Sequence, residues 1–295
     1  MHKPNDATVA LREGIFDYAR KRLEYDPAPL DAPQTLEFLT EHAGPTVTEE
    51  GLGGLKSLKL FENVLAPATI STDHPGYLSF IPCAPTEAAK LFDLIVSASA
   101  IYGGSWMEGA GAVYAENEVL AWLAKEAGLP ATAGGVFVQG GTLGNLSALV
   151  AARHRASQAL KAAGKPRPES WKFICSAEAH SSLKAAAAVM DVEIIKAEVA
   201  EDGRLRGPAV QAALDEAENG VFAIVATGGT TNFGIVDRLD EIGKIANDNG
   251  IWFHVDGAYG LAGILAEVSK PLFAGLERAD SFIVDPHKWL FAPFD

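Results

Sequence analysis

The sequence predicts an α/β protein whose core is a mostly parallel β-sheet. From residue 135 onwards, short apolar runs rich in β-branched and aromatic residues alternate with longer segments of helical periodicity. This alternation is typical of parallel strands joined by right-handed helical crossovers. Two of the apolar runs also end in ionisable residues about thirty residues apart, which is the length of one βαβ unit.

Helices are predicted for the first part of the chain, where apolar residues recur with helical spacing. The three segments are residues 8–24, 34–43 and 48–65. The third is expected to begin at Thr48, because a hydroxyl residue followed by two glutamates is a common helix start. The chain is therefore expected to divide into a helical segment over residues 1–70 and a larger domain over residues 71–295.

The larger domain is expected to begin with a proline-containing loop over residues 71–86. Helices near 86–100 and 112–127 follow, joined by a flexible glycine-rich connection. After them, strands and helices alternate. The predicted strands are 135–139, 173–175, 192–195, 221–226, 251–256 and 282–284, and the helices between them include 143–163, 208–219 and 237–249.

Charge and composition exclude several classes of partner. The net charge of −14 argues against binding to nucleic acid or to an anionic membrane surface. No run approaches the roughly 18 apolar residues of a membrane span, and the first residues lack the apolar core of a signal peptide. The two cysteines suit a reduced, cytoplasmic protein, and no cysteine or histidine spacing predicts a metal site.

Lys288 and Asp256 are the first candidates for chemistry. Pro286 prevents the strand before it from continuing, so Lys288 lies just beyond the carboxyl end of a strand, where ligands bind in open α/β sheets. Its apolar neighbours favour a neutral amine that can attack a carbonyl, although most lysines after a strand are solvated loop residues. Asp256 ends the preceding predicted strand. Such a pair is what a pyridoxal phosphate site needs, because the amine forms a Schiff base and the carboxylate keeps the pyridine nitrogen protonated.

A glycine turn supplies a candidate phosphate site. Gly140, Gly141 and Thr142 follow the predicted strand at 135–139 and precede a helix. Glycine lets the backbone approach an anion closely, and the first N–H groups of a helix together with its dipole favour negative charge. Many other strand-to-helix turns carry the same residues, so the pattern by itself is weak.

Two motifs resemble those of a known family. Residues 285–289 read Asp-Pro-His-Lys-Trp, and residues 254–259 read His-Val-Asp-Gly-Ala-Tyr. They resemble the group II pyridoxal-phosphate-dependent amino-acid decarboxylases, which include the aromatic-amino-acid, glutamate and histidine decarboxylases. The similarity extends from about His74 to Asp295. It implies the large domain of fold type I, the aspartate-aminotransferase-like fold.

The resemblance also implies roles for individual residues. His180 would stack on the cofactor ring, and Ala258 would pack on its other face. Thr231 would reach the cofactor with its hydroxyl, with Thr230 as the alternative. The remaining implied contacts are the phosphate cradle of Gly140, Gly141 and Thr142, the ring partner Asp256, and the Schiff-base residue Lys288.

Two residues beside the lysine are further candidates. His287 would either transfer a proton near neutral pH or orient Lys288. Asp285 lies where many relatives carry asparagine and would accept a hydrogen bond near the phosphate, against the repulsion between two anions. In the family the loop over residues 79–84 lines the substrate pocket, and here simple packing is an equal alternative.

The implied activity is decarboxylation of an L-amino acid to an amine and CO2 by a cytoplasmic homodimer, with the N-terminal helices packed on the partner subunit. One alternative is another fold-type-I reaction, transamination or carbon–carbon cleavage. The other is an inactive fragment that binds pyridoxal phosphate or dimerises. Only seven residues follow Lys288, whereas the relatives continue with another strand, a loop that carries a tyrosine, and a C-terminal small domain. The resemblance therefore predicts a truncated large domain without the small domain.

Overall fold

The computed structural model describes residues 4–79, 81 and 83–294. The chain divides into two compact units, Met1–Leu91 and Phe92–Asp295. The functional division expected after residue 70 stays a prediction. Of the predicted pocket loop, Phe80 and Pro82 lie outside the described residues.

The first unit is helical, as predicted. Its helices are α1 (Asp6–Leu23), α2 (Leu36–Ala43) and α3 (Gly54–Leu60), and a π-helical turn, Phe61–Leu65, extends α3. The expected helix start at Thr48 is wrong. Gly51 and Gly53 have φ angles of 74° and 76°, and a left-handed backbone cannot continue a right-handed helix, so α3 begins only after them.

Two long helices follow, α4 (Glu87–Ala98) and α5 (Trp106–Glu126). The predicted flexible connection is shorter than expected, because α5 already begins at Trp106 and bends at Gly109, where φ is −125° and ψ is 33°. A β-carbon at Gly109 would lie 2.4 Å from the carbonyl oxygen of Tyr102. The glycine is therefore required by close packing inside a kinked helix.

The predicted strand at 135–139 is not formed. This segment has no ladder partner among the described residues, and α6 (Gly140–Ala162) begins directly after it. One backbone group in the segment is bonded to a side chain instead, since the N–H of Phe137 donates to Oε1 of Glu116 at 2.7 Å. An apolar run becomes a strand only where another strand satisfies its backbone groups.

The second unit contains a five-stranded parallel sheet in the order β2-β1-β3-β4-β5. This confirms the predicted α/β class. Helices α7 (Ser181–Met190), α8 (Gly207–Glu216) and α9 (Leu239–Asp248) connect the first four strands, and three 3₁₀ turns connect β4 to β5. The strands are β1 (Lys172–Ser176), β2 (Glu193–Ala197), β3 (Val221–Thr227), β4 (Trp252–Asp256) and β5 (Ser281–Ile283).

The apolar core covers both faces of this sheet. One cluster includes Phe253, Leu239 and Ile242, and the other includes Phe173 and Phe222, all with at most 2% of their surface exposed. The central strand β3 is buried almost throughout, which explains why its sequence is continuously apolar rather than alternating. Such a doubly covered sheet holds the carboxyl ends of its strands in fixed positions.

Among the helices of the described residues, none has the length and apolar character needed to cross a membrane.

Candidate active site

A cleft of about 190 Å³ opens at the carboxyl ends of the strands in the second unit. This is the edge where open α/β sheets bind ligands. All candidate residues from the sequence line this one cleft, namely Gly140, Gly141, Thr142, His180, Thr231, Asp256, Ala258, Asp285, His287 and Lys288. Their roles toward a cofactor stay predictions.

Lys288 lies in a short helix, α10 (Pro286–Trp289), that starts as soon as β5 has ended. Pro286 occupies the first helical position, where its missing N–H costs nothing. The turn brings Lys288 Nζ to 2.9 Å from Oδ2 of Asp285, and Nε2 of His287 lies 3.9 Å from the same oxygen. The expectation of purely apolar surroundings for Lys288 is therefore wrong, since residues three apart on a helix share one face.

Asp256 ends β4, and the sheet places it beside β5 with Ile283 as its register partner. Its carboxylate is 5% exposed yet borders the cleft. Oδ1 accepts a hydrogen bond from the N–H of Ala258 at 3.2 Å, and Oδ2 accepts one from Nδ2 of Asn145 at 2.8 Å. A carboxylate can accept about four hydrogen bonds, so Asp256 retains capacity for a cationic N–H donor in the cleft.

The glycine turn fits a phosphate group. Gly140 has a φ of 76°, and a β-carbon on Gly141 would lie 3.1 Å from both Ala258 Cβ and the carboxylate oxygens of Asp285. The N–H of Gly141 donates to Asp285 Oδ2 at 3.3 Å, so an anionic group already lies against the start of α6. The donors and the dipole of this helix suit an anion, and the residues present fit a phosphate-bearing cofactor.

His180 has a structural role and also borders the cleft. It precedes α7, and its Nδ1 accepts a hydrogen bond from the N–H of Ser182 at 3.2 Å. The ring therefore caps a helix, which is the ordinary function of a histidine at this position. Because Nδ1 is occupied, the Nε2 edge is the part of the ring that remains for a bound group.

The two threonines after β3 differ in their bonding. Thr230 is buried, and its hydroxyl accepts a hydrogen bond from the N–H of Ile235 at 3.1 Å. Thr231 is exposed in the cleft, and its hydroxyl bonds to nothing in the described part of the chain. The hydroxyl of Thr231 is therefore the one that faces the cleft without an internal partner among the described residues, and its contact with a cofactor stays a prediction.

Sequence reasoning did not select three buried polar residues that support the site: Asn145, Ser182 and His254. Helical and strand periodicity could have identified two of the three. Asn145 lies four residues after Gly141, on the same face of α6. His254 lies two residues before Asp256 and therefore on the same face of β4.

Two buried ionisable groups outside the cleft lining have strongly shifted pKa values. Burial lowers the pKa of His254 to about 4, although the charge of Asp256 opposes the shift. Burial raises the pKa of Asp237 to about 6, although hydrogen bonds from the N–H groups of Thr227 and Leu205 oppose it. His254 is therefore neutral at pH 7, and Asp237 is charged there.

These two groups are expected to have opposite effects on stability between pH 4 and 6.5. Stability from neutral His254 is present above the ordinary pKa of 6.5 and is lost as the pH falls toward 4. Stability from protonated Asp237 is present below 3.8 and is lost as the pH rises through 6. Each effect amounts to about 3 kcal/mol, so they largely cancel in the native protein.

Single variants should reveal the two opposing pH dependences of the free energy of unfolding. Asp237→Asn should lose stability as the pH is lowered from 6.5, whereas His254→Gln should lose stability as the pH is raised from 4. Urea unfolding at several pH values measures how the free energy of unfolding of each variant changes with pH. The contributions of all other titrating groups are common to both variants and cancel in the comparison. Parallel pH profiles for the two variants would contradict the assignment.

The fold and the site together define a class of enzyme. A lysine and a carboxylate at adjacent strand ends, next to a glycine turn that starts a helix, are the groups that a pyridoxal phosphate enzyme needs. Residues 49–295 match the family model described as the pyridoxal-dependent decarboxylase conserved domain. The chain therefore belongs to the pyridoxal-dependent decarboxylase family, and pyridoxal phosphate is its cofactor.

Individual relatives agree with this membership. The chain is 34% identical over 229 residues to an aromatic-L-amino-acid decarboxylase of Bacillus atrophaeus, covering 76% of this chain and 46% of the relative. It is 36% identical over 226 residues to an L-2,4-diaminobutyrate decarboxylase of Rhizobium meliloti, covering 75% and 44%. The chain thus spans about half the length of these curated relatives.

A solved structure extends the likeness to the whole chain. It is the glutamate decarboxylase domain of diaminobutyrate-pyruvate transaminase and L-2,4-diaminobutyrate decarboxylase from Vibrio parahaemolyticus. Its TM-score is 0.86 at 26% identity, covering 99% of this chain and 67% of that structure.

Proposed function

We propose that this protein catalyses the decarboxylation of an L-amino acid to the corresponding amine and CO2. The observation that carries the proposal is the placement of Lys288, Asp256 and the glycine turn around one cleft. When bound, pyridoxal phosphate supplies an electron sink for the pair of electrons that the departing carboxylate leaves behind.

Three groups of this chain hold the cofactor in this proposal. The N–H groups at the start of α6, with Thr142, bind the phosphate. Asp256 pairs with the pyridine nitrogen through the lone pairs that Ala258 and Asn145 leave open. Lys288 attaches the cofactor covalently, which requires its ammonium to lose a proton and leave the ion pair with Asp285.

The remaining candidates orient the bound groups. His180 supports one face of the ring and Ala258 the other. Thr231 offers a hydroxyl to the cofactor. His287 lies beside Asp285, and its edge-to-face contact with Phe294, with ring centroids 4.6 Å apart, limits its movement. In this proposal His287 transfers a proton at the site or holds Lys288 in place, and a pH profile of a His287→Gln variant separates the two roles.

The experiment that tests the activity is a comparison of products. Purified protein with pyridoxal phosphate is incubated with a panel of L-amino acids that includes aromatic ones and L-2,4-diaminobutyrate. Release of CO2 and the amine supports the proposal. A keto acid would indicate transamination, an aldehyde would indicate carbon–carbon cleavage, and cofactor binding without any product would indicate an inactive fragment.

A second copy of the chain is the partner we propose. Helix α4 exposes Phe92, Ile95 and Val96, each at least half exposed, and α5 exposes Met107 at 90%. A helix with so much apolar surface is normally covered by another element.

A cytoplasmic location accords with Cys83 and Cys175, which are both free thiols.

Charged substitutions on α4 test the dimer. Phe92→Lys combined with Ile95→Lys should shift the protein from dimer to monomer, because two cations would be buried without partners. Val268→Lys is the control, since Val268 is 91% exposed on a different element. Sedimentation velocity measures the dimer fraction of the native protein, the double variant and the control. Equal dimer fractions in all three would refute this interface.

A further inference from the structure

A chain of buried and partly buried polar side chains leads from Trp252 to the cleft. Trp252 Nε1 donates to the hydroxyl of Ser281 at 2.8 Å, and that hydroxyl lies 2.8 Å from Nδ1 of His254. Nε2 of His254 lies 2.8 Å from Oδ1 of Asn145. Asn145 then contacts both Asp256 and Ser182, at 2.8 Å and 3.0 Å. Asn145 is thus the branch point, and it is only 1% exposed.

The carboxylate of Asp256 determines the orientation of the Asn145 amide. A carboxylate is an acceptor only, so the group that faces it at 2.8 Å must be the NH2 of the amide. Rotating the amide by 180° would place two oxygens against each other in a buried site, at a large cost in free energy. The Oδ1 atom of Asn145 is therefore an acceptor, and the group opposite it must donate.

This orientation determines the tautomer of His254. Its Nε2 faces an acceptor and so carries the proton. The pKa of His254 is lowered to about 4 by burial, so the ring is neutral and Nδ1 has a free lone pair. Ser281 donates its hydroxyl proton to that lone pair and accepts the N–H of Trp252 in turn. From Trp252 through Ser281 to His254, every donor therefore points toward Asn145.

The second branch reaches His180. Ser182 accepts a hydrogen bond from the Asn145 amide, so its hydroxyl proton is available for Nδ1 of His180 at 2.9 Å. The backbone N–H of Ser182 donates to the same nitrogen. With two donors on Nδ1, neutral His180 carries its proton on Nε2, the nitrogen left for a group bound in the cleft.

We propose that Asn145 is a positioning residue that orients the carboxylate of Asp256 toward the cofactor nitrogen and, through Ser182, presents His180 to the cleft as its Nε2–H tautomer. The inference rests on the proposed function, but the hydrogen bonds from which it is argued all lie within this chain. Removing Asn145 would leave Asp256, Ser182 and Nε2 of His254 without a shared partner in a buried site, where unpaired polar groups are costly.

The first experiment needs no cofactor. Nitrogen-15 NMR of histidine-labelled, cofactor-free protein reports which ring nitrogen carries the proton. Spectra of His254→Gln and His180→Gln variants assign the two signals. Both residues are expected as the Nε2–H tautomer. An Nδ1–H tautomer at His254 would reverse the chain, place the Asn145 oxygen toward Asp256, and overturn the proposal.

The second experiment measures the consequence at the cofactor. With ring-nitrogen-labelled pyridoxal phosphate bound, Asn145→Ala should shift the nitrogen signal toward the unprotonated form. It should also lower kcat about tenfold to a hundredfold with little change in KM, because a misplaced catalytic group costs about this much. Leu149→Ala is the matched control, since Leu149 lies one turn further along α6, is fully buried, belongs to an apolar core cluster and has no polar side-chain atom.

A pair of substitutions at His254 tests the direction of the chain. His254→Gln retains an N–H donor toward Asn145 and should keep the cofactor nitrogen protonated, whereas His254→Leu should not. An unchanged nitrogen signal and kcat in Asn145→Ala would overturn the proposal, as would equal effects of Asn145→Ala and Leu149→Ala. If the native protein binds no pyridoxal phosphate, the proposed function fails, and the tautomer measurement still tests the orientation of Asn145.

Discussion

Replacing Lys288 by alanine or by arginine is expected to lower kcat/KM by at least about a thousandfold, which corresponds to about 4 kcal/mol of barrier. Alanine removes the amine. Arginine retains a positive charge beside Asp285 but cannot lose its proton, and so cannot attack a carbonyl. The arginine variant therefore separates the ion pair with Asp285 from covalent attachment of the cofactor.

Borohydride reduction of the native protein with pyridoxal phosphate checks the same assignment chemically. The reduced cofactor should remain on the peptide that contains Lys288, and neither variant should retain it. A label on a different lysine, or activity near the native value in the arginine variant, would show that Lys288 has only an electrostatic role.

Removal of the Asp256 carboxylate is expected to have the second largest effect. In Asp256→Ala the pyridine nitrogen loses its anionic partner and its proton, so the step that expels CO2 should slow by several orders of magnitude, each tenfold costing about 1.4 kcal/mol. The buried position of Asp256 strengthens this effect, because water cannot replace the lost carboxylate there.

Two further substitutions distinguish charge from shape at this position. Asp256→Asn preserves the size of the side chain but not its charge, whereas Asp256→Glu preserves the charge and changes the geometry. We expect the glutamate variant to be more active than the asparagine variant in assays of CO2 release. Near-native turnover of Asp256→Asn would mean that ring protonation does not depend on this residue.

The strand ends that form the site were predictable from local patterns. The apolar runs before Asp256 and Lys288 predicted buried strands, and Pro286 predicted that the second would stop. Both strands form, but β4 is buried and β5 is only half-buried. Their spacing implied neighbouring parallel strands, which the register of Asp256 with Ile283 confirms. The position where a strand ends depends on interactions between neighbouring residues, so a few adjacent residues are enough to predict it.

Predictions failed where the outcome depended on contacts between distant segments. Residues 135–139 have the composition of a strand, but strand formation requires a partner, and none is present among the described residues. The helix predicted at Thr48 failed for a local reason instead, because the positive φ angles at Gly51 and Gly53 delay its start. The glycines near residue 109 indicate a flexible loop in sequence, yet Gly109 lies inside α5, packed so closely against the Tyr102 backbone that no side chain would fit.

The sequence by itself determined the class of fold and the strand ends that carry Asp256 and Lys288, because apolar runs, a proline and a glycine turn act locally. The other residues that border the cleft were implied by the resemblance of its motifs to a known family. Only the tertiary structure decided what those residues meet. It connected Asp256 and His254 to Asn145, which lies more than a hundred positions earlier in the chain. Such contacts depend on how α6 packs against the sheet, and no local pattern of residue types specifies the distance between two side chains brought together by packing.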